Sequence, residues 1–166
     1  MVREDLNAPS FGSSPISPIS VLVGAPAPLL RGGIVSALVE DPRISVVAQP
    51  TNEDATLGGI RALHPHVAVL DVDALRRRGI ELMRQISRTR TGTRVIFLPS
   101  ASSPRAVHKT LASGVSGYVG RYATAAELRS TVVAVANGQT VVGEPLRRAL
   151  LREIRVSGRL CGSGAT

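Results

Sequence analysis

At 166 residues, with 43% apolar and 19% charged side chains, the chain has the length and composition of one packed domain with tails, not of a disordered polymer. No apolar run approaches the ~20 residues of a membrane helix, residues 1–18 (MVREDLNAPSFGSSPISP) lack the apolar stretch of a secretory signal, and the lone Cys161 excludes an internal disulfide, which fits a reducing cytoplasm. The net charge of +8 permits attraction to nucleic acid or acidic partners, but the aromatics Phe11, Phe97, Tyr118 and Tyr122 are too few to make a base-stacking platform. In chain order, residues 1–18 read as a Pro/Ser/Gly-rich mobile tail. ISVLV (19–23) is a first buried strand. Residues 28–40 have helical spacing at Leu30, Ile34 and Leu38, with Pro28 suited to a first turn and Gly32 and Gly33 costing about 1 kcal/mol each. A second strand, ISVVA (44–48), precedes a helix over 52–64 capped by Asn52. VAVL (67–70) is the third strand, and a helix over 79–89 is apolar at Ile80, Met83 and Ile86. RVIFL (94–98) is the fourth strand, followed by a helix over 103–114 with Ser103 as cap, Pro104 in its first position and Gly114 as its stop. GYVG (117–120) is a short fifth strand. A fifth helix over 124–138 opens on a Thr124–Glu127 capping box and ends at Asn137–Gly138. Residues 144–156 form a possible sixth helix.

Short, continuously apolar strands alternating with helices five times predict an α/β domain: a doubly wound, five-stranded parallel sheet covered on both faces. In such sheets the working site lies at the carboxyl ends of the strands, which selects residues 24–27, 71–73, 99–100 and 121–122. His64, His66 and His108 have no carboxylate or cysteine companions at metal-ligand spacing. No P-loop, G-x-S-x-G or H-E-x-x-H motif occurs, GVSGYVG is not a dinucleotide fingerprint, and no nucleophile–base pair points to an enzyme. Arg76, Arg77 and Arg78 read as a solvated loop.

HPHVAVLDVD (64–73) and GVSGYVGRYATAAELRSTVVAVANGQ (114–139) resemble the response-regulator receiver domains of the NarL/FixJ type, over about residues 19–140. The separations agree as well: Asp71 to Pro99 is 28 residues and Asp71 to Arg121 is 50. The resemblance implies a flavodoxin-like (βα)5 fold and a phosphoryl switch in two-component signal transduction. It makes Asp71 the phospho-acceptor and Tyr118 the switch aromatic. The other positions of the family's pocket depart from its pattern. Ala25 and Pro26 stand where an acidic pair would hold a divalent metal, Pro99 replaces a Ser or Thr, and Arg121 replaces a Lys. Asp73 occupies a position that contributes its backbone carbonyl, and Ser100 could replace the missing hydroxyl only if its loop turned inward.

These departures predict no bound cofactor, with Mg²⁺ binding weak or lost, because that ion demands an array of oxygen ligands. They also predict an Arg121–Asp71 ion pair that locks the pocket. The expected function is an atypical, phosphorylation-independent receiver acting in transcriptional regulation by protein contact, as a homodimer or a heterodimer with a related regulator. A histidine kinase is a doubtful partner. The alternative is the regulatory half of a truncated NarL-type DNA-binding regulator, still phosphorylated weakly at Asp71. Beyond Gly138 remain 28 residues, fewer than the ~50 of a domain. Residues 141–166 therefore read as a tail without a complete output module, and direct DNA binding by this chain is not expected. Arg152, Glu153, Val156 and Leu160 only faintly resemble the start of a LuxR-type helix-turn-helix.

Overall fold

The computed structural model describes residues 17–71, 79–99 and 104–160. Strands β1 (Ile19–Gly24), β2 (Ile44–Ala48), β3 (Val67–Leu70), β4 (Arg94–Phe97), β5 (Gly117–Tyr118) and β6 (Val141–Val142) pair in parallel in the order β2-β1-β3-β4-β5-β6. Between them run helices α1 (Pro28–Val39), α2 (Glu53–Leu63), α3 (Gly79–Thr89), α4 (Pro104–Ala112) and α5 (Ala125–Ala136), and α6 (Glu144–Leu160) closes the described chain.

Because side chains alternate across a strand, the apolar runs feed two cores at once. Val21, Val23, Val67, Val69, Ile96 and Leu98 face Ile34 and Leu38 of α1 and Leu128, Val132 and Val135 of α5. Leu22, Ala68, Leu70, Val95 and Phe97 face Leu57 and Ile60 of α2 and Leu82, Met83 and Ile86 of α3. Leu22, Leu38, Ile60, Leu70, Leu82 and Ile96 are fully buried, each contributing roughly 1.5–3 kcal/mol. Register keeps the layers aligned: Leu22 pairs with Ala68, and Ala68 with Val95.

Local chemistry sets the helix ends. Pro28 opens α1, Asn52 accepts from the Ala55 N–H at 2.8 Å, and Thr124 and Glu127 form the reciprocal capping box of α5. Gly138 takes φ +96° just past α5, a conformation that L side chains adopt only under strain. The doubly wound parallel sheet is as the sequence predicts, with three differences. The sheet has six strands, not five: Val141 and Val142 add to the outer edge, where Val141 N–H donates to Ser116 O and Gly143 N–H to Tyr118 O. β5 ends at Tyr118, not Gly120; one further ladder bond, from Val119 N–H to Phe97 O, precedes the turn at residues 121–122. Within residues 141–166, Val141–Val142 form β6, and the possible helix over 144–156 is present as α6, which runs on to Leu160 and packs on α4. The N-terminal tail to residue 16, the Arg76–Arg78 loop, Ser103 and Cys161 lie outside the described residues. Among the described residues no helix is long and apolar enough to cross a membrane.

Candidate functional site at the strand tips

The parallel sheet delivers the tips of β1, β3, β4 and β5 to one rim. The backbone ladder continues one step past β3: Asp71 N–H donates to Gly24 O at 2.9 Å, which fixes Asp71 beside the end of β1. Glycine at 24 allows this close packing, since a Cβ there would stand 2.7 Å from Leu70 Cδ2 and 3.2 Å from Thr56 Oγ1. The Asp71 side chain is only 4% exposed. An ionised carboxylate so placed needs a charged partner, and Arg121, at the turn that follows β5, supplies one. Its Nη2 donates to Asp71 Oδ1 at 2.5 Å, while its side chain stays 31% exposed. The contact is a charge-assisted bond between an ionised donor and an ionised acceptor. The short ladder of β5, extended by Val119 N–H donating to Phe97 O, aims Arg121 back over β4 toward β3.

At the tip of β1, Ala25 is buried and Pro26 exposed, so neither offers a carboxylate. Here the structure adds a residue that the sequence reading missed. Arg31, from the first turn of α1, reaches back to donate from Nη1 to Ala25 O at 2.6 Å and to Pro26 O at 3.3 Å. Its one sequence signal is an arginine four residues after the Ala27 N-cap. Pro99 is buried just past β4 and has neither hydroxyl nor N–H to offer an anion. Asp73 and Ser100 lie outside the described residues. Tyr118 is 3% exposed and belongs to the core cluster with Phe97 and Val115, whereas Tyr122 is 97% exposed. The rim thus brings Asp71, Arg121, Ala25 and Pro99 to the strand tips and places the Tyr118 ring in the core. The histidines stand apart. His66 precedes β3 at the opposite end of the sheet, bonded to Ser20, His64 ends α2 in a left-handed conformation, and His108 is exposed on α4. Beside Arg121, between α1 and α5, lies an apolar cavity of about 300 Å³ walled by Leu30, Ile34, Leu98 and Leu128.

The chain has known relatives. The family model of the response regulator receiver domain matches residues 27–133. The chain is 31% identical over 137 residues to the probable transcriptional regulatory protein NarL of Mycobacterium tuberculosis, covering 82% of this chain and 63% of that one. It is 31% identical over 127 residues to the DNA-binding transcriptional activator DevR/DosR of the same organism, covering 76% and 58%. It therefore spans about three-fifths of the length of these relatives. Among solved structures it is similar to the signal receiver domain of the putative response regulator NarL from M. tuberculosis, with a TM-score of 0.70 and 28% identity over 74% of this chain and 99% of that one. The strand order, the aspartate at the tip of β3 and these matches together make the chain a member of the response regulator receiver family, as a receiver domain of the NarL type.

Proposed function

We propose that this receiver works by protein contact without a phosphoryl trigger, its strand-tip pocket held in one state by the Arg121–Asp71 pair. The observation that carries the reading is the 2.5 Å bond from Arg121 Nη2 to Asp71 Oδ1. Phosphoryl transfer to a carboxylate relies on positioning and on a cation to neutralise developing charge. Mg²⁺ takes oxygen ligands in near-octahedral array. Asp71 with Ala25 and Pro26 is a poor donor set for it, so we infer weak or absent Mg²⁺ binding and route no step through that ion. Pro99 offers an incoming phosphoryl oxygen no bond. Arg121 is permanently charged, and it already engages one of the two oxygens of the Asp71 carboxylate.

On this reading the chain is a non-enzymatic signalling module of the cytoplasm, and its output is association with itself or with a related regulator. The alternative is that it serves as the regulatory half of a DNA-binding regulator, like the longer relatives it matches, with weak phosphorylation surviving at Asp71. Incubation with acetyl phosphate and Mg²⁺, followed by intact-mass measurement, separates the two. The expected result is unmodified protein. A stoichiometric phosphate adduct that disappears in Asp71→Asn would overturn the proposal.

A further inference from the structure

Among its described side chains, helix α6 meets the rest of the domain along one side. Leu150 packs on the core cluster, Glu153 is half-buried, and the main contact is with α4. The opposite side is sorted by chemistry. At 3.6 residues per turn, Arg147, Leu151 and Ile154 stand one above another, and Arg148, Arg152 and Arg155 form the adjoining stripe. Leu151 is 50% exposed and Ile154 64%, and Val156, at 62%, borders the arginine stripe on its far side. Single exposed apolar residues are ordinary on any surface. The others among the described residues, such as Val39, Val47 and Leu63, are scattered over separate elements, whereas these three fall within six residues of one helix.

The charge of this face narrows its occupant. Over residues 144–160 the chain has five arginines against two glutamates, and Glu144 is already engaged by Arg147 and Arg148. A second copy laid α6 against α6 would stack one arginine stripe on the other, which like-charge repulsion opposes. A nucleic-acid backbone would satisfy the arginines but press a charged polymer onto Leu151, Ile154 and Val156. We propose that this face docks an acidic amphipathic helix of a partner protein. The partner's apolar side chains would cover Leu151 and Ile154, and its carboxylates would line Arg148, Arg152 and Arg155. The proposal deepens the contact-driven reading by naming the surface, and rests on it only in taking association as the output.

The test uses the full chain and a fluorescein-labelled synthetic helical peptide, with leucines along one face flanked by glutamates. Its control has the same composition with the leucines dispersed around the helix. Fluorescence anisotropy at physiological salt reads binding, and circular dichroism confirms that each variant folds. The patterned peptide should bind, and the dispersed one about tenfold less tightly. Affinity should fall about tenfold or more in Leu151→Asp/Ile154→Asp, and likewise in Arg148→Glu/Arg152→Glu/Arg155→Glu. Arg43→Ala, an exposed arginine beside β2 at the opposite edge of the sheet, should bind as the parent does, and the acetyl phosphate test reads mass, which keeps the two results separate. Equal binding of the two peptides, or loss in the arginine variant alone, would show bare charge attraction and end the proposal. So would tighter binding of random duplex DNA or of anionic phosphatidylglycerol vesicles than of the patterned peptide.

Discussion

The middle of the sheet and its carboxyl-end rim lie one residue apart yet follow different rules. Leu70 is fully buried in the core and Asp71, next to it, is nearly so, but only the second needs a partner of opposite charge. In β1, β3 and β4 the buried positions are apolar on both faces. Among the described residues at the rim directly above, Ala25, Pro26 and Pro99 offer no charge, and the Asp71 carboxylate meets the Arg121 guanidinium. The contrast teaches that the scaffold of a receiver and the chemistry of its pocket are separable: one is written in shape and hydrophobicity, the other in a few side chains that shape does not constrain.

Substitutions on either side of that divide sharpen it. The largest effect belongs to the middle of the sheet. Ile96→Ala should destabilise by about 2–5 kcal/mol in urea unfolding, because the site is walled on both sides and cannot collapse. At the rim the effect depends on which partner is removed. Arg121→Ala takes a charged partner from a buried carboxylate and should cost up to about 3 kcal/mol. Asp71→Ala should cost less, since Arg121 can turn to water. A paired Asp71→Leu/Arg121→Leu variant should lie close to the parent, and a cost as large as that of Arg121→Ala would show that the pair does more than neutralise itself. Smaller still are the helix devices. Thr124→Ala should lose about 1 kcal/mol with the capping box. Gly33→Ala should gain up to about 1 kcal/mol, because a Cβ there meets nothing within 4 Å. The smallest effect is electrostatic. The Arg43 side chain and backbone N–H, both bonded to Asp41, lower its carboxyl from 3.8 to about 2. A carboxyl depressed on folding adds stability above its unfolded pKa, and that share is lost as pH falls toward the folded one. Asp41→Asn should therefore flatten the acid limb of a stability–pH curve between about pH 4 and 2. An unchanged limb would assign it to other carboxylates.

Much of this was legible in the sequence, for physical reasons. The runs at 19–23, 67–70 and 94–98 are apolar without alternation, which only a sheet covered on both faces explains, and their observed ends differ by no more than a residue. Asn52 and the Thr124–Glu127 box announce their helices by chemistry that acts within one turn. What escaped depends on distant parts of the chain. Val141 and Val142 are too short a run to have a period, and they become a strand only because β5 offers them an edge. The sixth helix is expected over 144–156, yet α6 continues to Leu160. Of the rim, Asp71 and Arg121 were visible as a charge pair at family spacing. The grip of Arg31 on the Ala25 and Pro26 carbonyls was not, since backbone acceptors leave no mark in a sequence.

The Asp71–Arg121 bond spans 50 residues of chain, and that distance has a consequence for biosynthesis. Because β3 lies between β1 and β4, the seat for the carboxylate closes only when the fourth strand has been delivered, and the guanidinium of Arg121 is still to be made then. Until residue 121 emerges, burying the anion lacks the contribution of this ion pair. Closure of the early half should therefore gain its full stability late, when the domain consolidates as one unit.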